Sequence, residues 1–153
     1  LAEVLLEAGY RVTGIDISDA MLDQARARLA RFGTSFACKL ADARELSPPE
    51  KPFAAAVCAR VLMHFPLEQQ VEFLRGVVRQ CNGPVVFSHS YDSRYQRARR
   101  RLKKLLRHRE PVAVPLNEAA IGRLLESSGL RELRRIWLAP LVSEAFYLVA
   151  TRR

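Results

Sequence analysis

Short apolar runs alternate with amphipathic helical patterns along most of this chain, and that alternation narrows its fold more than any other feature. Val12 and Ile15 give residues 10–16 strand character. Ser18 then opens a helical pattern whose apolar side is Met21, Leu22, Ala25, Leu29 and Phe32. Ser18 suits an N-cap, because its hydroxyl can accept from an orphan amide, and Asp19 suits the positive end of the helix dipole. Gly33 ends this helix, and residues 34–40 read as a second strand. Residues 53–59 (F-A-A-A-V-C-A) are apolar on both faces, as a central parallel strand would be. The spacing predicts a helix over 67–80, with Val71, Leu74, Val77 and Val78 inward, and a strand over 84–88 after the Asn82-Gly83 turn. Asn117 caps a helix over 118–128 with Ala120, Ile121, Leu124 and Leu125 inward, and Gly129 stops it. Two strands follow near 131–138 and 144–151. Ahead of all these, Leu1, Val4, Leu5 and Ala8 recur at helical spacing up to Gly9. Strand and helix in alternation predict an α/β sheet covered on both faces.

Composition excludes several classes. The chain has 153 residues, about one domain, and 49% of them are hydrophobic, too many for a disordered chain. No apolar run reaches the length that a membrane-spanning helix needs. Cys38, Cys58 and Cys81 are few and odd in number, and no spacing of Cys and His suggests a metal site. They predict a reducing, cytoplasmic setting. Cys58, inside an apolar strand, reads as a buried structural thiol, and Trp137 and Phe146 as core.

The formal net charge is +9, and it is unevenly placed. Residues 94–109 hold nine of the 25 basic residues and no acid; the remaining 16 balance the 16 acidic residues. Tyr95, Ala98, Leu102, Leu105 and Leu106 recur there at helical spacing, and Pro111 and Pro115 close the segment. It reads as an amphipathic helix with a basic outer face. Such a face can simply be solvated, can recognise an anionic substrate or nucleic acid, or can touch an anionic membrane surface.

The sharpest motif is G-I-D-I-S, which puts Asp16 at the carboxyl end of a strand. In nucleotide-binding α/β folds an acid there accepts from ribose hydroxyls. By itself Asp16 also suits a turn or the start of a helix. The matching glycine-rich turn belongs about 20 residues earlier, which passes residue 1. A first strand and its glycine turn are therefore expected upstream, and the uncapped first helix agrees. Without that strand, its neighbours would expose unpaired edges. Residues 1–153 alone are expected to be poorly soluble or partly unfolded.

The stretch L-A-E-V-L-L-E-A-G-Y-R-V-T-G-I-D-I-S-D-A-M-L-D-Q-A-R resembles the first helix, second strand and second helix of class I S-adenosylmethionine-dependent methyltransferases. A-D-A-R-E-L resembles that family's acidic turn after the third strand, and F-A-A-A-V-C-A-R-V-L-M-H-F its fourth strand and the turn beyond. The resemblance covers residues 1 to about 90 and, more weakly, 116–153. It implies a Rossmann-like sheet, mostly parallel with an antiparallel last strand, here without the first strand and glycine motif. It implies one partial methyltransferase domain over 1–153, with a basic helical insertion at about 92–116.

The resemblance also implies roles. S-adenosylmethionine would be the cofactor and a small molecule the acceptor. Asp16 would hold the ribose hydroxyls and Ile17 would pack on the adenine. Asp42 would accept from the adenine amino group, and the Ala43 amide would reach the ring. Arg60 and Val61 would line the methionine end. His64, just past the fourth strand, is the candidate general base; His89 and Tyr91, just beyond the fifth, are others. The segment after the fifth strand often shapes the substrate site in this family, which gives 94–109 a substrate-facing reading. Two alternatives remain. One is a nicotinamide-dependent oxidoreductase, which Asp16 would suit equally, although no tyrosine has a lysine four residues on. The other is a non-catalytic module that holds an anionic partner through the basic helix.

Overall fold

A computed structural model describes residues 1–92, 114–138 and 145–153. The basic segment 94–109, and nearly all of the insertion placed at 92–116, lies outside the described residues. The chain divides into two compact units, Leu1–Leu46 and Ser47–Arg153.

In the first unit, local signals set the elements. Helix α1 (Ala2–Glu7) ends before Gly9, whose φ of +85° reverses the chain into strand β1 (Val12–Asp16). Ser18 is extended, and its hydroxyl accepts from the Met21 N–H at 3.4 Å to start helix α2 (Asp19–Leu29). A 3₁₀ turn over Ala30–Ser35 carries Gly33 at φ +51° and leads into strand β2 (Phe36–Leu40). β1 and β2 pair in parallel, with Asp16 opposite Leu40.

The core of this unit is small: Leu6, Leu22, Leu29 and Leu46 are its buried apolar side chains. Two expected stripes differ from the structure. On α1, Leu6 is buried, whereas Leu1 and Val4 are exposed. The helix instead presents Leu6 inward, with Glu3 and Glu7 paired to Arg28 and Arg31 at 2.7–3.0 Å. On α2, Met21 is exposed, because this helix buries only the narrow line of Leu22 and Leu29.

The second unit holds a four-stranded sheet in the order β3-β4-β6-β5. Its strands are β3 (Ala56–Cys58), β4 (Val85–Ser90), β5 (Leu130–Trp137) and β6 (Ala145–Arg152). β3 and β4 are parallel, and β6 runs antiparallel to both β4 and β5. The expected mostly parallel sheet with an antiparallel last strand is therefore present. A bulge between Glu132 and Arg134 interrupts the β5 register and leaves Leu133 exposed. The apolar run at 53–59 becomes a three-residue strand that pairs only with β4, rather than a central one, among the described residues. Its Val57 is 39% exposed.

Helix α3 (Leu67–Gln80) spans the residues its periodicity predicts, with Leu74 and Val77 buried. Helix α4 (Glu118–Ser127) starts where Asn117 Oδ1 accepts from the Ala120 N–H at 2.9 Å. All four of its expected inward residues are buried. Gly129, at φ +68°, follows. These helices pack on a core that includes Val85, Phe87, Phe146 and Leu148, each 1% exposed or less. At the turn from α3 into β4, a Cβ on Gly83 would lie 1.9 Å from the Ala54 carbonyl oxygen. No helix among the described residues is long and apolar enough to cross a membrane.

Candidate functional site

In the first unit, the parallel pairing of β1 and β2 brings four of the expected residues to one carboxyl edge. The Asp16 carbonyl accepts from the Ala41 N–H at 3.1 Å, so the chain leaving β2 stays beside the end of β1 and carries Asp42 and Ala43 with it. Asp16 Oδ1 accepts from the Ser18 N–H at 2.9 Å, which orients the carboxylate. Oδ2 has no partner among the described residues. Ile17 is 73% exposed, an apolar side chain held out beside that carboxylate.

Asp42 differs from a simple acceptor. Its two oxygens receive the Arg44 guanidinium, with Nε at 3.0 Å from each and Nη2 at 2.5 Å, and Oδ1 also accepts the Arg44 N–H at 2.9 Å. These bonds hold its carboxyl below the usual aspartate range. Three N–H groups of Arg44 therefore take up at least three of the four or so lone-pair sites of this carboxylate, and a ligand donor has to use what is left or displace Arg44.

In the second unit, Arg60, Val61 and His64 lie on the turn that leaves β3. Arg60 sits at φ +61°, a left-handed conformation that costs a non-glycine residue on the order of 1 kcal/mol. Its N–H donates to Ser88 Oγ at 2.7 Å. Leu62–His64 form a single 3₁₀ turn in which Leu62 is buried and His64 exposed. Parallel strands place this turn at the same sheet edge as the end of β4.

His89 is not beyond the strand but inside it, and it is fully buried. Gln70 Nε2 donates to the Phe65 carbonyl at 2.8 Å, so Gln70 Oε1 is free to accept from His89 Nε2 at 3.0 Å. The Ser90 N–H lies 2.8 Å from Nδ1 and the Ser90 carbonyl 3.0 Å, and only one of them can bond at a time. Burial lowers the histidine pKa and outweighs the nearby Ser90 carbonyl, which favours the charged ring. A neutral ring that donates through Nε2 must accept at Nδ1, so the Ser90 N–H is the bonded group. Both ring nitrogens are then committed, and His89 cannot serve as a base toward a ligand.

Tyr91 meets Trp137 edge-on at 5.2 Å, and Trp137 lies 5.4 Å from Phe146. Phe146 is core, as expected, but Trp137 is 40% exposed because it closes the outermost strand. Burial pushes the Cys58 thiol up to about 12, which makes it inert, as its place in the strand suggests. No cluster of metal-ligating side chains occurs among the described residues.

The roles of Ser88 and Gln70 leave no mark in the sequence. A serine in a strand and a glutamine on a helix are ordinary, and only the fold brings them to the turn after β3.

Residues 1–82 match a protein family described as a methyltransferase domain. No curated protein matches the chain in sequence. Solved structures share its fold at low identity. One is the magnesium protoporphyrin IX methyltransferase of Synechocystis PCC 6803 with S-adenosylhomocysteine bound: 20% identity, TM-score 0.78, 97% of this chain and 67% of that one. Another is the mitomycin 7-O-methyltransferase: 19% identity, TM-score 0.79, 100% of this chain and 45% of that one. A third is an S-adenosylmethionine-dependent methyltransferase of Clostridium acetobutylicum: 13% identity, TM-score 0.76, 99% of this chain and 79% of that one. The chain thus spans between about half and four fifths of these proteins' lengths.

Proposed function

This chain belongs to the methyltransferase domain family, and from that premise we propose that it serves S-adenosylmethionine-dependent methyl transfer to a small molecule. The observation that carries the reading is the carboxyl edge of β1 and β2, where Asp16, Ile17, Asp42 and Ala43 stand together. A carboxylate with one oxygen oriented by Ser18 and the other open suits a pair of ribose hydroxyls. The exposed Ile17 suits the face of a purine, and the Ala43 N–H suits an acceptor on its edge. These residues fit a nucleoside.

When bound, S-adenosylmethionine supplies a methyl group already activated on a positively charged sulfur. What remains for the protein is positioning, which in such displacements provides much of the rate. The family resemblance assigns Arg60 and Val61 to the methionine end. His64, exposed beside them on its 3₁₀ turn, is the proposed base for an acceptor that must lose a proton. A small-molecule acceptor is supported by the substrates in the names of two structural neighbours. The nine basic residues of 94–109 suit an acceptor that carries negative charge. We further read residues 1–153 as parts of one methyltransferase domain, in the cytoplasm, where free thiols such as Cys38, Cys58 and Cys81 persist.

Titration calorimetry of the intact protein with S-adenosylhomocysteine tests the reading. Saturable binding is expected, and Asp16→Ala is expected to weaken it by about 10- to 100-fold, the loss of charge-assisted hydrogen bonds. Preference for NADH, or binding of nucleic acid with no nucleoside affinity, overturns it.

A further inference from the structure

The turn from β3 to α3 is held by side chains and backbone far away in sequence. The Arg60 N–H donates to Ser88 Oγ at 2.7 Å, and the Met63 carbonyl accepts from the Val114 N–H at 2.8 Å. The Phe65 carbonyl accepts from Gln70 Nε2 at 2.8 Å, and Gln70 is held in turn by His89 at 3.0 Å. Ser88, Gln70 and His89 are 3%, 0% and 0% exposed.

A connection between a strand and a helix needs none of this. Burying three polar side chains costs stability unless each finds its partners, and apolar residues would fill the same space at less risk. Gln70 and His89 bond each other, His89 also takes the Ser90 N–H, and Gln70 and Ser88 bond the backbone of this turn, which itself contains a non-glycine residue at positive φ. Backbone held in a rare conformation by surrounding bonds is a mark of required geometry. Among the described residues, the anchors leave the Arg60 carbonyl and the Val61 N–H without a hydrogen bond. Both lie beyond the carboxyl end of a parallel strand, where open α/β sheets bind ligands.

We propose that Ser88, Gln70 and His89 are positioning residues for methyl transfer. They hold the Arg60–Phe65 turn so that its backbone meets the amino-acid end of S-adenosylmethionine. The proposal rests on the reading of Arg60 and Val61 given above. It adds a buried polar relay, from β4 through α3 to the turn, that sets the turn's shape.

The test compares two ligands on the intact protein by calorimetry. S-adenosylhomocysteine has the amino-acid end; methylthioadenosine keeps the nucleoside and lacks that end. Ser88→Ala is expected to weaken S-adenosylhomocysteine about tenfold and to leave methylthioadenosine within about twofold. Ser88→Thr, which restores a hydroxyl, is expected to recover the loss. Near-UV circular dichroism checks folding, and if Ser88→Ala does not fold, Gln70→Met is read in the same way. Equal weakening of both ligands, or no change in either, overturns the positioning role. In that event the cofactor reading stands as long as the unaltered protein binds S-adenosylhomocysteine and Asp16→Ala weakens it. Absence of binding to the unaltered protein overturns that reading and this one together.

Discussion

Two histidines of the second unit have opposite surroundings, and the difference decides what each can do. His64 is exposed on a 3₁₀ turn, while His89 is sealed between Gln70 and the Ser90 backbone. Burial holds the His89 pKa below its ordinary 6.5. An unfolded chain takes up the proton near 6.5 while the folded chain still keeps the ring neutral. In the window below 6.5 and above the lowered folded value, the unfolded state therefore binds more protons, and stability falls as pH falls. The melting temperature is expected to drop between about pH 7 and about pH 5, and to drop less in His89→Gln. Equal acid sensitivity in the two proteins would count against this account. Neither histidine's burial was legible in the sequence, since both stand near the ends of apolar strands. Asp16 was legible, because strand, glycine and following cap frame it within five residues.

At the scale of elements, the signals that held were those made by neighbours in sequence. Ser18 and Asn117 cap the helices they precede, Gly9 and Gly129 take positive φ where helices end, and Gly33 does so in the 3₁₀ turn that follows α2. Helix α4 buries all four residues that its spacing points inward, because it covers a broad sheet. Helix α1 does not follow its pattern: it buries Leu6 and sets Glu3 and Glu7 against Arg28 and Arg31. Gly83 illustrates a constraint that reads as a simple turn and proves to be a close approach. Phe53 N–H bonds the Gln80 carbonyl at 2.8 Å and Asn82 N–H bonds the Phe53 carbonyl at 3.0 Å, which press the chain before β3 onto the α3–β4 turn. Gly83→Ala would drive a methyl into the Ala54 carbonyl and is expected to cost about 1–3 kcal/mol in urea unfolding. A variant as stable as the parent would show that this approach can relax freely.

For the molecule as a whole, the two units differ in how much apolar surface they bury. Unit Leu1–Leu46 rests on four buried leucines, whereas unit Ser47–Arg153 buries Leu74, Val85, Phe87, Leu124, Phe146, Leu148 and others. Local opening is easiest where few apolar contacts oppose it. Hydrogen exchange on residues 1–153 is expected to be slowest in β4 and β6 and much faster in β1 and β2. Comparable protection in all four strands would refute that ordering. By itself the sequence determined the alternation of elements, the caps and stops, the strand-end Asp16 and the family. All of these arise from residues within a few positions of one another or from a continuous pattern. Only the tertiary structure decided that Arg44 occupies Asp42, that β3 has one strand neighbour among the described residues, and that Ser88 and a His89–Gln70 pair hold the turn after β3. Those facts depend on which distant residues meet, and hydrogen-bond partners separated by 19 or 28 positions leave no periodicity to read.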